Sequence, residues 1–247
     1  MKVFTVALNF GPTDELRAEI DSAAVRASSA PRCWPTMRAS IRATRHLATR
    51  HLRRHLSTEV FAWAAHKAGR RHLSTEVFAW AAHKAGAPLE PYKFELPSAI
   101  PPPGYVDVAI KYCGICGSDV HQLEDAWGVA TWPLVAGHEI VGNVVAVGEG
   151  ERRFAVGDRA AIGVQRSSCG TCYHCEDGAE NVCPSITKTY AGPGKDKGGF
   201  ASLIRYPSAW TFRTPEAIPG ELVGPLMCAG ITTFSPLKRH AKAGDRV

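Results

Sequence analysis

The stretch CGTCYHCEDGAENVC constrains this chain more than any other feature. Cys169, Cys172, Cys175 and Cys183 are separated by two, two and seven residues. Four thiolates complete a tetrahedral shell with no position left open, so the spacing predicts a closed, structural Zn²⁺ site. Two other readings compete. An iron-sulfur run shares C-x2-C-x2-C and a Cys-Pro, here Cys183-Pro184, but it places three residues before the last cysteine rather than seven. A disulfide framework belongs to small secreted chains, whereas 247 residues with 45% hydrophobic content can bury a core without one. His174 lies inside the lobe and reads as a solvated loop residue, because four thiolates already fill the shell.

The net charge of +6 suggests a nucleic-acid partner until it is divided along the chain. Residues 1–58 hold ten Lys/Arg against four Asp/Glu, while residues 59–247 hold nineteen of each. The expectation is therefore of no nucleic-acid partner, since no aromatic or zinc-finger pattern accompanies the arginines. No apolar run of about eighteen residues occurs, so no membrane partner is expected either. Asp14, Glu15, Glu19 and Asp21 stand where a secretory cleavage site would lie. These features predict a cytoplasmic protein, with a mitochondrial presequence as the other reading of the Arg-rich start.

Residues 1–58 form an Arg-rich, low-complexity extension, expected to be irregular or helical. Residues 53–69, RRHLSTEVFAWAAHKAG, recur without a change at 70–86, giving a tandem 17-residue duplication over 53–86. Solenoid repeats diverge and number at least three. An identical pair reads as a recent duplication or an assembly error, and each copy, read as a helix, is amphipathic. From Pro88 the texture changes to short β-rich runs punctuated by Gly and Pro, such as YVDVAIKYC (105–113), EIVGNVVAVG (139–148) and FASLIRY (200–206). This predicts a mainly β domain over 87–240 with some α-helix, the longest helical candidate being 221–240.

A second constellation begins with CGICGSDVH (113–121) and GHEIVG (137–142). A catalytic zinc keeps three protein ligands and an open fourth position, and Cys2His is one of the known sets. Cys116 and His138 supply two candidates. Cys228, in PLMCAGITTFSPLKRH, is a third, although a buried helical cysteine packing as a small hydrophobe fits its residue type as well.

From about Phe78 to Val247 the chain resembles the zinc-dependent medium-chain alcohol dehydrogenases, most of all their cinnamyl alcohol dehydrogenase branch. The residues that carry the resemblance are AWAAH (79–83), CGICGSDVH, EDAWG (124–128), GHEIVG, GDR (157–159), the four-cysteine lobe and PLMCAGITTFSPLKR (225–239). Ala136 departs from the proline usual before GHE, and Glu151 from the valine that often closes the glycine motif there. The resemblance implies a GroES-like catalytic module with two zinc sites. Cys116, His138 and Cys228 would hold the catalytic ion, with Glu139 as an alternate ligand or a supporting carboxylate. Asp119 would accept a hydrogen bond from the His138 ring, and Ser118 and His121 would carry the alcohol proton outward. Trp127 reads either as a wall for the substrate or as an ordinary packed tryptophan. Cys113 and Cys33 read as bystanders.

The resemblance further implies primary alcohol and aldehyde substrates and NADP, held by a Rossmann domain that follows a segment like KAGDRV. No G-x-G-x-x-G opens a helix after a strand here, so no cofactor-binding residue is identified. Residues 241–247 read as the truncated start of that cofactor domain. On this reading the chain is an incomplete dehydrogenase, weakly active or inactive as it stands, and a homodimer only if the further domain is present. The alternative is a non-catalytic zinc-binding module derived from such an enzyme.

Overall fold

The computed structural model of the protein describes residues 4–6, 75–190 and 197–246. The rest of the Arg-rich extension, the first copy of the duplication and Cys33 lie outside the described residues. The elements in chain order are β1 (Phe4–Val6), β2 (Thr75–Ala81), β3 (Glu90–Leu96), β4 (Tyr105–Ile115), α1 (Gly117–Leu123), β5 (Glu139–Val147), β6 (Arg159–Ile162), β7 (Gln165–Ser167), α2 (Tyr173–Glu176), β8 (Thr187–Lys188), β9 (Leu203–Pro207), β10 (Thr211–Arg213), α3 (Gly220–Pro225) and α4 (Ile231–His240). A π-helical turn, Leu226–Gly230, joins α3 to α4. The mainly β character expected from the sequence is present, and the helical candidate at 221–240 is α3, the π turn and α4. Among the described residues no helix is long and apolar enough to cross a membrane.

The central sheet runs β1-β4-β5-β6-β10, with β9 also paired to β4, and every pairing is antiparallel. β4 is its spine because YVDVAIKYCGI alternates: Val106, Val108 and Ile110 face the core, the period of two that a half-buried strand needs. Register shifts at Asp107/Val108 and Ile110/Tyr112 bend β4 against β5. The bend carries the strand toward α1 and the side chains that follow. On its other face Asp107 is buried opposite Arg205 of β9, and the guanidinium binds the carboxylate through two bonds of 2.7 and 2.8 Å. A third Arg205 nitrogen donates to Ser98 Oγ at 2.8 Å, so the pair is taken from water with its hydrogen-bonding groups engaged.

The helical reading of the second duplicated copy is overturned. TEVFAWA forms β2, paired with β3 from Thr75↔Leu96 to Ala81↔Glu90. Val77, Ala79 and Ala81 are buried on one face while Phe78 is exposed on the other. Local alanine content favours helix, but burial of the alternate face against the core decides. Bonds from Trp80 N–H to the Phe200 carbonyl and between Ala82 and Leu134 fasten β2 to the rest. The packed body therefore takes in residues 75–86, ahead of the boundary drawn at 87. The expectation of an irregular or helical extension is likewise corrected at Phe4–Val6, which pairs with Ile115, Gly114 and Cys113 of β4.

Candidate metal centres

The first centre is built where β4 ends. Cys116 caps the N-terminus of α1 in an extended conformation, and Asp119 at the third helical position closes a capping box by accepting the Cys116 N–H at 2.8 Å. The same carboxylate accepts the Gly137 N–H at 3.0 Å and lies 3.1 Å from His138 Nδ1. Gly137 has φ +96, and a Cβ there would sit 2.7 Å from the Phe200 ring and 2.8 Å from Cys113 Sγ. Only glycine meets both demands, and the turn it makes delivers His138 and Glu139 to the same place. With Nδ1 bonded to Asp119, Nε2 is the His138 nitrogen that faces Cys228 Sγ, at 3.3 Å.

Cys228 arrives from the π turn. A π-helical insertion widens one turn of a helix and re-aims its side chains, and such turns are frequent at functional sites. Cys228 Sγ lies 3.8 Å from Cys116 Sγ. The donor atoms of Cys116, His138, Glu139 and Cys228 all lie within 4.8 Å of one another. Cys116, His138 and Glu139 are buried, Cys228 half-buried. Both Glu139 carboxylate oxygens are buried with no hydrogen-bond partner among the described residues.

The electrostatics of this cluster are those of a site short of positive charge. Hydrogen bonding from the Cys228 thiol, and then from His138, pulls Cys116 down from 9.0 to about 3. The second proton of the pair is correspondingly held, so Cys228 is raised by its bond to Cys116 and by burial. Burial opposes a charge on His138, but the Asp119 carboxylate outweighs it and lifts the imidazole from 6.5 to about 10. Glu139 rises from 4.5 to about 7 because burial disfavours its carboxylate. Two thiols, an imidazole nitrogen and an orphaned carboxylate packed this closely hold shared protons that a divalent cation, binding the same donor atoms, would displace.

Ser118 and His121, read as a proton path, both stand on α1. Ser118 Oγ is 3.6 Å from Cys116 Sγ, beside the cluster. His121, three residues on, is exposed, with its ring against Trp127 at 5.4 Å between centroids. No hydrogen bond joins Ser118 to His121 among the described residues. Trp127 is 51% exposed, so it is not an ordinary core tryptophan. Cys113 is fully buried behind the cluster, where burial raises its thiol well above 9.0. Sequence reasoning missed Tyr190, whose hydroxyl donates to Asp119 Oδ1 and lies 3.3 Å from His138 Nδ1. It is 71 residues from Asp119 in a stretch with no motif, so no local signal could have found it.

The second centre is the four-cysteine lobe. Cys172 Sγ is 3.6 Å from Cys175 and 3.9 Å from Cys183, and Cys169 Sγ is 3.6 Å from Cys183 and 3.9 Å from Cys175. A tetrahedral ion with bonds of about 2.3 Å to sulfur holds its ligands about 3.8 Å apart, so the observed edges fit one ion. They exceed a disulfide's S–S length of about 2.05 Å nearly twofold, and all four thiols are free. His174 is turned aside, its ring edge-on to Tyr173.

Residues 102–216 match the alcohol dehydrogenase GroES-like domain. Cinnamyl alcohol dehydrogenase 8 of Arabidopsis thaliana is 42% identical over 143 residues, 56% of this chain and 40% of that protein. Mannitol dehydrogenase of Petroselinum crispum is 41% identical over 167 residues, 64% of this chain and 48% of that one. Among solved structures, CAD from Helicobacter pylori complexed with NADP(H) superposes with a TM-score of 0.63 at 31% identity, covering 67% of this chain and 49% of that one. The chain thus spans about half the length of the relatives it matches.

Proposed function

We propose that the chain, through its GroES-like domain, is a member of the zinc-dependent medium-chain alcohol dehydrogenases in their cinnamyl alcohol dehydrogenase-like branch, and that it carries the metal centres of an enzyme interconverting primary alcohols and aldehydes with NADP. The observation that supports this best is the cluster of Cys116, His138, Cys228 and Glu139, with donor atoms within 4.8 Å and an unpartnered buried carboxylate. Three ligands with one position left over are what a catalytic zinc needs, and the lobe supplies the closed shell of a structural one.

Cys116, His138 and Cys228 would hold the ion, with Glu139 as an alternate ligand or a supporting carboxylate. Zinc, when bound, supplies a Lewis acid that lowers the pKa of an alcohol. The chain's own residues do the remainder. Asp119 fixes the His138 tautomer so that Nε2 keeps its lone pair. Burial of three of the four donors keeps bulk water from the centre, where electrostatic interactions are stronger. Ser118 Oγ, beside Cys116 Sγ, is placed to take the alcohol proton, and exposed His121, on the same helix, to pass it to solvent. The exposed Trp127 ring against His121 offers an apolar face to an aromatic or long-chain substrate. The proposed location is the cytoplasm.

The test is to load the protein with zinc, count the metal by mass spectrometry, and follow NADP-linked oxidation of a series of primary alcohols. Turnover that disappears in Cys116→Ser and His138→Ala, while one zinc per chain is retained, supports the reading. Two zinc equivalents with neither turnover nor dinucleotide binding would reduce the protein to a metal-binding module.

A further inference from the structure

The buried centre depends on one carboxylate, and that carboxylate depends on a residue outside every motif. Asp119 is fully buried and takes four donors. Its Oδ2 accepts the Cys116 N–H at 2.8 Å. Its Oδ1 faces the Gly137 N–H at 3.0 Å, His138 Nδ1 at 3.1 Å and the Tyr190 hydroxyl. Two of these donors are the backbone of ligand-bearing turns and one is a ligand ring. Tyr190 alone comes from elsewhere, from the segment that follows the four-cysteine lobe and β8, and its ring is 5.9 Å from that of His138 at an angle of 33°. Through it the far side of the domain reaches the carboxylate that aims His138.

We infer that Tyr190 is a positioning residue for the buried metal centre: its hydroxyl holds Asp119 in the orientation that directs His138 Nε2 at the ion. This rests on the reading of that centre as a metal site. The physical reason lies in geometry. The His138 Nδ1–H can choose between two acceptors, Asp119 Oδ1 at 3.1 Å and the Tyr190 oxygen at 3.3 Å. A hydroxyl that donates to Asp119 ties both acceptors to one another, so the imidazole has a single planar partner instead of two independent ones. Without it, Asp119 keeps the Cys116 and Gly137 N–H bonds, but Oδ1 loses one of its three donors and the His138 Nδ1–H loses its second acceptor, so the ring is held less tightly in its plane. Tyr190 is itself part of the buried core cluster, so Tyr190→Phe keeps the ring in the core and removes the tether alone.

The experiment uses cobalt as the probe. In the full chain, the difference spectrum between wild type and Cys116→Ser isolates the visible bands of cobalt at the buried centre from those of the lobe. Tyr190→Phe is expected to weaken metal affinity there by about 10-fold or more, as loss of an outer hydrogen bond to a ligand does. It shifts the isolated cobalt bands and leaves lobe affinity unchanged, which a general loss of stability would not do. In the Asp119→Asn background the same substitution adds little, because the two act in series. Affinity and bands unchanged in Tyr190→Phe would overturn the inference and leave the metal site standing. Wild type with no cobalt bands beyond those of Cys116→Ser would overturn the metal reading itself. Should the variant not fold, the unmutated protein decides: a slowly exchanging Tyr190 hydroxyl proton close to the His138 ring in NMR supports the tether, and a rapidly exchanging one refutes it.

Discussion

The two cysteine-bearing centres use the same chemistry and are built in opposite ways. At the buried centre the protein arranges the donors first. Cys116 is a helix cap, Asp119 gathers four donors around it, and Gly137 makes a turn that no other residue fits. In the lobe local backbone hydrogen bonds and four sulfurs hold the chain, with almost no buried side chain among them. From Cys169 to Lys188 only Cys183 is buried, and the surrounding elements are one four-residue helix, one short 3₁₀ turn and the two-residue strand β8. Tyr173 and Val182 point outward. A segment with one buried residue offsets little of its ordering entropy by burying apolar surface, so an ion at its centre would act as its core. The difference lies in what organises each site: the domain itself arranges the buried centre, whereas the lobe has little but its four thiols to gather around.

The largest expected effect is therefore in the lobe. Cys175→Ser should lower bound zinc from about two to about one per chain, and limited proteolysis should cut within 169–188 while the sheet survives. Lost structural ligation costs several kcal/mol, and each kcal/mol moves the melting of a domain of this size by roughly 2–4 °C, so a fall of about 10 °C is expected. A lobe that stays protease-resistant in the variant would break the comparison at its root. Cys116→Ser should remove one zinc equivalent yet lower stability by only about 1 kcal/mol, the scale of a lost hydrogen bond in a frame that stands by itself. Calorimetry beside metal counting checks it.

Between these lies a substitution that reaches the buried centre without touching a ligand. A Cβ on Gly114 would run into the Glu139 carboxylate. Gly114→Ala should cost about 1–3 kcal/mol, as overpacking does, and weaken zinc binding at the buried centre while the lobe keeps its own. Equal weakening at both centres in a chelator titration would mean that they are not independent.

How much of this was legible in the sequence follows the same division. The lobe could be read outright because its four ligands fall within one short stretch and spacing alone defines a shell. Cys116 and His138 were visible as candidates, but Glu139 entered only through the family resemblance, and Cys228 is 112 residues from Cys116 and is aimed by a π turn that leaves no trace in residue type. Resemblance to a family was needed to single it out. Tyr190 and the Asp107–Arg205 pair were invisible for the same reason, since each joins segments with no local pattern linking them. The strand β2 was misread because its small residues suit a helix locally. Only its pairing with β3 and the burial of Val77, Ala79 and Ala81 settle it as a strand.

The smallest effect tests whether the buried frame is built for an ion rather than merely around one. Glu139 has no partner for either oxygen among the described residues, and burial raises it from 4.5 to about 7. A folded-state value above the unfolded one means that the native protein binds this proton more tightly than the unfolded chain does. Below about pH 4.5 both states are protonated and Glu139 costs nothing; between 4.5 and 7 stability falls as the pH rises; above 7 the full cost is present. In metal-free protein, Glu139→Gln should therefore gain stability relative to wild type at pH 8, by about 1 kcal/mol, and gain little or nothing at pH 4. Cys116 and His138 titrate in both chains and largely cancel in the difference. Loaded with zinc, the order should reverse, because a cation nearby favours the charged carboxylate that glutamine lacks. Denaturant titrations at the two pH values, with and without metal, check both signs. A Glu139→Gln difference that is flat with pH and indifferent to zinc would make Glu139 a packing residue and leave only Cys116, His138 and Cys228 to define the centre.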